Sequence, residues 1–146
     1  MRILVDADAC PVKNIIIEVA KEYNLDVYMY FDSSHEYNDD YSKVIIVDKS
    51  KDSVDINILN NMIKEDIVVT GDYGLASLVL SKKGYAINQN GLIYSNDNID
   101  KLLFDRFLGV KNRKANIKTK NIKKRLKEND INFKNSLIKL ISCKTK

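Results

Sequence analysis

The sequence predicts an α/β fold with three layers, helices covering both faces of a central, mainly parallel sheet. Short aliphatic runs alternate along the chain with stretches whose apolar residues recur at i, i+3, i+4 and i+7, and strands separated by helices pair in parallel through crossovers. Two of the runs, "RILVDADACPVK" and "DIVVTGD", end in aspartates at their carboxyl ends. At 146 residues and 16.7 kDa the chain suffices for one well-buried core, so a single domain is expected over 1–146.

Ile3, Leu4 and Val5 form the continuous aliphatic run of a strand covered on both faces. A helix is expected from Pro11, whose fixed φ and missing N–H suit a first helical position. Val12, Ile15, Ile16, Val19, Ala20 and Tyr23 supply its buried stripe and Asn24 its stop. Residues 25–32 and 43–48 read as the second and third strands, and Val54 to Lys64 as a helix. Residues 66–72 form the next strand and 73–83 the next helix. Short strands follow at 84–88 and 91–95, then a helix over 96–109 closed by Gly109. Phe133, Leu137, Leu140 and Ile141 mark a final helix that docks on the domain.

Charge divides the chain. Residues 1–110 carry 11 Lys and Arg against 18 Asp and Glu, a net −7, whereas 111–146 carry 13 against 2, a net +11. An acidic core, 1–110, is therefore followed by a basic extension with a helix, 111–146. The stretch 111–127 holds nine basic residues and no acidic one. Its Lys111, Arg113, Lys114, Lys118, Lys120, Lys123, Lys124 and Arg125 are candidate contacts to nucleic-acid phosphates. No aromatic residue interleaves them as a stacking platform. Cys10 and Cys143 lie too far apart in sequence for a metal pair or a disulfide framework, which points to a reducing compartment. No signal-type segment and no apolar run of about 18–20 residues occurs. A cytoplasmic protein away from membranes, either monomer or homodimer, is expected.

In parallel sheets ligands bind at the carboxyl ends of the strands, where Asp6, Asp8 and Asp72 meet. On a helix over 52–63, Asp55 falls in the middle of the stripe formed by Ile58, Leu59, Met62 and Ile63. A carboxylate facing inward is costly unless paired or bound to a cation, so its destination is the same polar cleft. Crowded carboxylates repel and raise one another's pKa unless a cation neutralises them. All-oxygen ligation selects Mg²⁺ or Mn²⁺. Asp6, Asp8, Asp55 and Asp72 are thus candidate metal ligands and catalytic residues, with Asp52 in the same first turn and Lys13 within reach of a phosphate as supporting groups. Cys10 lacks a histidine base nearby in sequence, and the single histidine, His35, lies in a polar loop.

The blocks "VDADACPVK", "DSVDINI", "DIVVTGDYGLA" and the "NI…LL…R" of 98–106, followed by a basic segment, resemble the YaiI/YqxD family of small bacterial proteins over nearly the whole chain. Gly71 and Val54 depart from that pattern and spare the carboxylates. The family is considered PIN-like, and PIN domains are Mg²⁺- or Mn²⁺-dependent ribonucleases with acidic residues at strand ends. The resemblance therefore implies a PIN-like fold and the set Asp6, Asp8, Asp55 and Asp72, with Thr70 in support. The leading expectation is a nuclease acting on RNA rather than DNA. Two others stand beside it. One is a non-catalytic nucleic-acid-binding or regulatory module. The other is a phosphatase of the haloacid-dehalogenase type, in which the D-x-D would supply nucleophile and acid, Thr70 the later hydroxyl and Lys82 or Lys83 the lysine.

Overall fold

Aliphatic β-branched and aromatic residues pack well on a pleated surface. In the computed structural model, which describes residues 1–32, 37–48, 53–114 and 124–144, with side chains outside 110–114 and 144, the strands are β1 (Ile3–Asp6), β2 (Val27–Phe31), β3 (Lys43–Ile46), β4 (Ile67–Val69) and β5 (Tyr85–Ile87). β1, β3 and β4 are built mainly of aliphatic residues and β2 mainly of aromatics. Every pairing is parallel and the order is β3-β2-β1-β4-β5. The helices are α1 (Lys13–Tyr23), α2 (Val54–Asn61), α3 (Tyr73–Ser81), α4 (Asn96–Lys114) and α5 (Lys127–Lys144).

Side chains alternate across each strand, and this splits the core in two. Ile3, Val5, Met29, Ile67 and Val69 point to one face, where α1 contributes Ile16 and Val19 and α5 contributes Phe133, Leu137 and Ile141. Leu4, Tyr30 and Val68 point to the other, against Ile58 of α2, Leu75 and Val79 of α3 and Ile99 of α4. The three layers expected from sequence are therefore present. No helix among the described residues is long and apolar enough to cross a membrane.

Several boundaries differ from expectation. α1 starts at Lys13 with Val12 as its cap, leaving Pro11 in the preceding turn. Just ahead of it a tight turn over residues 7–10 is closed by the Cys10 N–H donating to the Ala7 carbonyl at 3.2 Å, with Ala9 at a φ of 56°. A turn this tight holds Pro11 outside the helix. Asn24 ends α1 in the left-handed conformation (φ 58°). α2 stops at Asn61, so Ile63 is exposed rather than part of its stripe. α4 continues through Gly109 to Lys114, because a glycine ends a helix only where the chain needs a left-handed step, and Gly109 takes none. Residues 91–95 make a single antiparallel bridge, Ile87 to Ile93, in place of a strand. α5 begins at Lys127, ahead of its first apolar anchor Phe133.

The loop after β5 is folded on itself. Asn88 Oδ1 accepts the N–H groups of Asn90 and Leu92, both at 2.9 Å, and Gly91 sits at a φ of 91°. A Cβ there would lie 2.6 Å from the Asn132 carbonyl oxygen of α5. Gly91→Ala meets both that backbone contact and an unfavourable left-handed φ. It is expected to lower stability by about 1–2 kcal/mol, read as a fall in the urea midpoint with an unchanged m-value.

Candidate functional site

The sheet has one topological switch point. From β1 the chain moves outward through β2 and β3, then returns to place β4 on the other side of β1. Connections leave these two neighbours in opposite directions, which opens a crevice at their carboxyl ends. A cleft of about 470 Å³ lies there, lined by Asp6, Asp8, Cys10, Thr70, Asp72, Gln89 and Arg106 among others.

Each acidic group reaches the cleft for a local reason. Asp6 is the last residue of β1. Asp8 follows in the turn, held by the Asp32 N–H donating to its Oδ2 at 2.7 Å. Asp72 caps α3, its Oδ1 accepting from Gly74 N at 2.8 Å and Leu75 N at 3.2 Å. Thr70, 2% exposed, ties the two strand ends together. Its hydroxyl donates to Asp6 Oδ2 at 3.0 Å and accepts the Asp72 N–H at 3.0 Å. Its carbonyl accepts the Tyr94 hydroxyl at 3.2 Å.

Crowding shows in the electrostatics. Burial pushes the Asp6 carboxyl up to about 6; the Thr70 hydrogen bond opposes this, and the charges of Asp55, Asp72 and Asp8 push it further. Half-buried Asp55 is raised as well, by burial first and then by its neighbour Asp72. Asp55 stands in the first turn of α2, behind Ser53, whose side chain accepts from Ile56 N at 3.2 Å. It acts on Asp6 and Asp72 from beside the cleft and is not among the residues lining it. Burial also raises the Cys10 thiol, which disfavours the thiolate a nucleophile or metal ligand requires.

Among the described residues, no three Asp, Glu, His or Cys side chains are grouped closely enough to hold a metal ion by themselves. Carboxylate and hydroxyl oxygens dominate the side-chain donors that line the cleft, beside the Gln89 amide and the Cys10 thiol that burial keeps protonated. That chemistry matches a hard cation that keeps several waters and takes only one or two carboxylates from the protein. Asp6, Asp8 and Asp72 are the groups in position to supply them.

The basic candidates fare differently. Lys13 turns away from any phosphate role: its Nζ donates to the Cys10 carbonyl at 2.6 Å and stacks on Phe31 and Tyr37. Arg125 is committed within the chain, its guanidinium donating to Asp130 Oδ1 (2.6 Å), Asn90 Oδ1 (2.8 Å) and the Gln89 carbonyl (2.8 Å). Lys124 is exposed. Asp52, His35, Lys118, Lys120 and Lys123 lie outside the described residues, as do the side chains of Lys111, Arg113 and Lys114. Lys82 and Lys83 follow α3 toward the amino-terminal edge of the sheet, where Lys82 Nζ donates to the Leu59 carbonyl and the Lys83 carbonyl accepts from Glu65 N. Among the described residues no lysine lines the aspartate cleft.

Gln89, Arg106 and Tyr73 also line the cleft, and nothing in the sequence reading marked them as site residues. Arg106 Nη1 stands 3.6 Å from Asp72 Oδ1. A signal for it was visible, since Ile99, Leu102, Leu103 and Arg106 share one helical face. For Gln89 no sequence signal exists, because the folded loop after β5 alone brings it in.

Comparison with known proteins agrees with the blocks carrying these residues. The family model described as "Uncharacterized BCR, YaiI/YqxD family" matches residues 4–143. A UPF0178 protein of Ruminiclostridium cellulolyticum is 57% identical over 141 residues, 97% of this chain and 92% of the relative. One of Clostridium novyi is 49% identical over 142 residues, 97% and 95% of the two chains. One of Clostridium tetani is 50% identical over 141 residues, covering 97% of each. No solved structure matches the chain significantly. With a family model spanning nearly its full length and relatives this similar, the chain belongs to the YaiI/YqxD family.

Proposed function

We propose that the cleft hydrolyses phosphodiester bonds in RNA with the help of Mg²⁺ or Mn²⁺. The observation that carries this reading is the gathering of Asp6, Asp8 and Asp72 at the switch point between β1 and β4, with Asp55 adding its charge from α2. Each of the three cleft carboxylates has a local hydrogen bond, yet gathering them in one cleft costs stability through like-charge repulsion unless a cation neutralises it. The PIN-like resemblance supports the same chemistry, and the basic extension after residue 110 supplies a sequence-independent hold on a phosphate backbone.

Asp6 and Asp8 present oxygens from the end of β1, and Asp72 presents one from the first turn of α3. Thr70 fixes the spacing of the Asp6 and Asp72 supports through one hydroxyl. A bound divalent cation would supply charge neutralisation and lower the pKa of water near the scissile phosphate. Asp6, Asp8 and Asp72 would hold that cation and accept protons from a water beside it.

The test is cleavage of 5′-labelled single-stranded RNA by purified wild type and Asp6→Asn, each with Mn²⁺, Mg²⁺ or EDTA. Wild type should cut only with metal. Asp6→Asn should be slower by at least about 100-fold, which separates the activity from a contaminating ribonuclease. Equal cleavage by both proteins, or none by either, sinks the reading. Release of phosphate from p-nitrophenyl phosphate would favour phosphatase chemistry, and metal-independent RNA binding without cleavage would favour the binding module.

A further inference from the structure

We infer that Arg106 is the residue that holds the substrate phosphate in this cleft; the substrate class, a phosphodiester strand, rests on the hydrolase reading above. The argument begins with charge. Three aspartates face the cleft, and Arg106 is the one cationic side chain lining it among the described residues. A polyanion entering there needs a counter-charge inside the cleft, and two other cations among the described residues, Lys13 and Arg125, already have partners within the chain. Lys13 is bound to the Cys10 carbonyl, and Arg125 to Asp130, Asn90 and Gln89.

Placement comes from α4. Ile99 is buried and Leu102 and Leu103 half-buried against α3 and the sheet. Arg106, three and four residues further on, continues the same stripe where it emerges at the cleft mouth. The helix therefore delivers a guanidinium to the acidic cluster in the position where the stripe would otherwise carry another aliphatic residue.

The guanidinium is also available. Its 3.6 Å approach to Asp72 is longer than a hydrogen bond, and the side chain is 57% exposed. Asp72 Oδ1 is already satisfied by the N–H groups of Gly74 and Leu75, so the cap survives when the arginine leaves. An exposed ion pair of this kind is worth little. A phosphate, with two non-bridging oxygens matched to the planar fork, is a better partner for it than the filled carboxylate oxygen. Arg106 thus rests against Asp72 and transfers to the phosphate when a strand binds.

Fluorescence anisotropy with fluorescein-labelled tetrauridylate in Ca²⁺ tests this, a probe short enough to report the cleft. Arg106→Ala should weaken binding about tenfold, and Arg106→Lys should fall between the two, keeping charge without the fork. Lys82→Ala, at the far edge of the sheet, should bind as wild type does. Melting temperatures of wild type and Arg106→Ala should agree, since the side chain is exposed and its pair weak. Binding by Arg106→Ala within twofold of wild type, or no binding by wild type, overturns the inference. Wild type that binds through Arg106 yet does not cut RNA overturns the hydrolase reading alone. Metal-dependent cutting with an unchanged KM in Arg106→Ala overturns the role of Arg106 alone.

Discussion

Asp66→Ala is expected to destabilise the protein by about 3–5 kcal/mol, the cost of stripping one partner from a buried ion pair. Asp66 is 0% exposed. Its carboxylate accepts Arg2 Nη2 at 2.6 Å, Arg2 Nε at 3.2 Å, the Arg2 N–H at 3.0 Å and the Ile63 N–H at 2.9 Å. Removing it orphans two backbone donors and leaves the guanidinium with the Asn61 carbonyl, at 2.8 Å, and Tyr28 as its remaining partners. Arg2→Ala should cost less, because Asp66 keeps both backbone N–H groups. Urea unfolding followed by circular dichroism ranks the two variants. A loss below about 1 kcal/mol for Asp66→Ala would show that the pair is dispensable to the sheet.

Asp6→Asn, the substitution expected to silence RNA cleavage, should stabilise the metal-free protein at alkaline pH. The folded carboxyl titrates at about 6, above the unfolded value of about 3.9. Between those values the folded state binds more protons than the unfolded, so stability falls as pH rises. The penalty is absent below about pH 4 and complete above about pH 6–7. For an enclosed group it would approach about 3 kcal/mol; water in the open cleft screens it to about 1–2 kcal/mol. Asparagine carries no charge and still offers an oxygen to the Thr70 hydroxyl. In EDTA the two proteins should melt together near pH 4, and the variant should melt about 3–8 °C higher near pH 8. A pH-independent difference would remove Asp6 from the crowded cluster.

Asp6 and Asp66 show where reading the sequence succeeds and where it does not. Asp6 and Asp72 were legible because a strand buried on both faces has an unmistakable aliphatic pattern, and the residue after it must leave the sheet at a carboxyl end. Asp66 precedes such a strand and drew no notice. Its importance comes from register: β1 and β4 pair with Ile3 opposite Ile67, which sets Arg2 beside Asp66. Opposite charges ahead of two strands become a buried pair only when those strands are neighbours.

Local periodicity placed the five strands, together with a sixth at 91–95 that does not form, the stripe of α1 and the position of Asp6, Asp8 and Asp72 at strand ends, since each depends on a few consecutive residues and the geometry of one element. Boundaries such as Pro11 and Gly109 went otherwise, because a turn closed by Cys10 and Ala7 and an uninterrupted α4 overrode single-residue preferences. Tertiary structure alone decided the strand order, and with it the crevice between β1 and β4. It also decided which cations face the aspartates. Lys13, Arg106 and Arg125 are alike in sequence, each a long cationic side chain beside an apolar stripe or a helix start. Packing ties the first to the Cys10 carbonyl and the last to the loop at 89–90, and leaves only Arg106 beside Asp72, because a long side chain takes whichever acceptor the neighbouring elements bring within its reach.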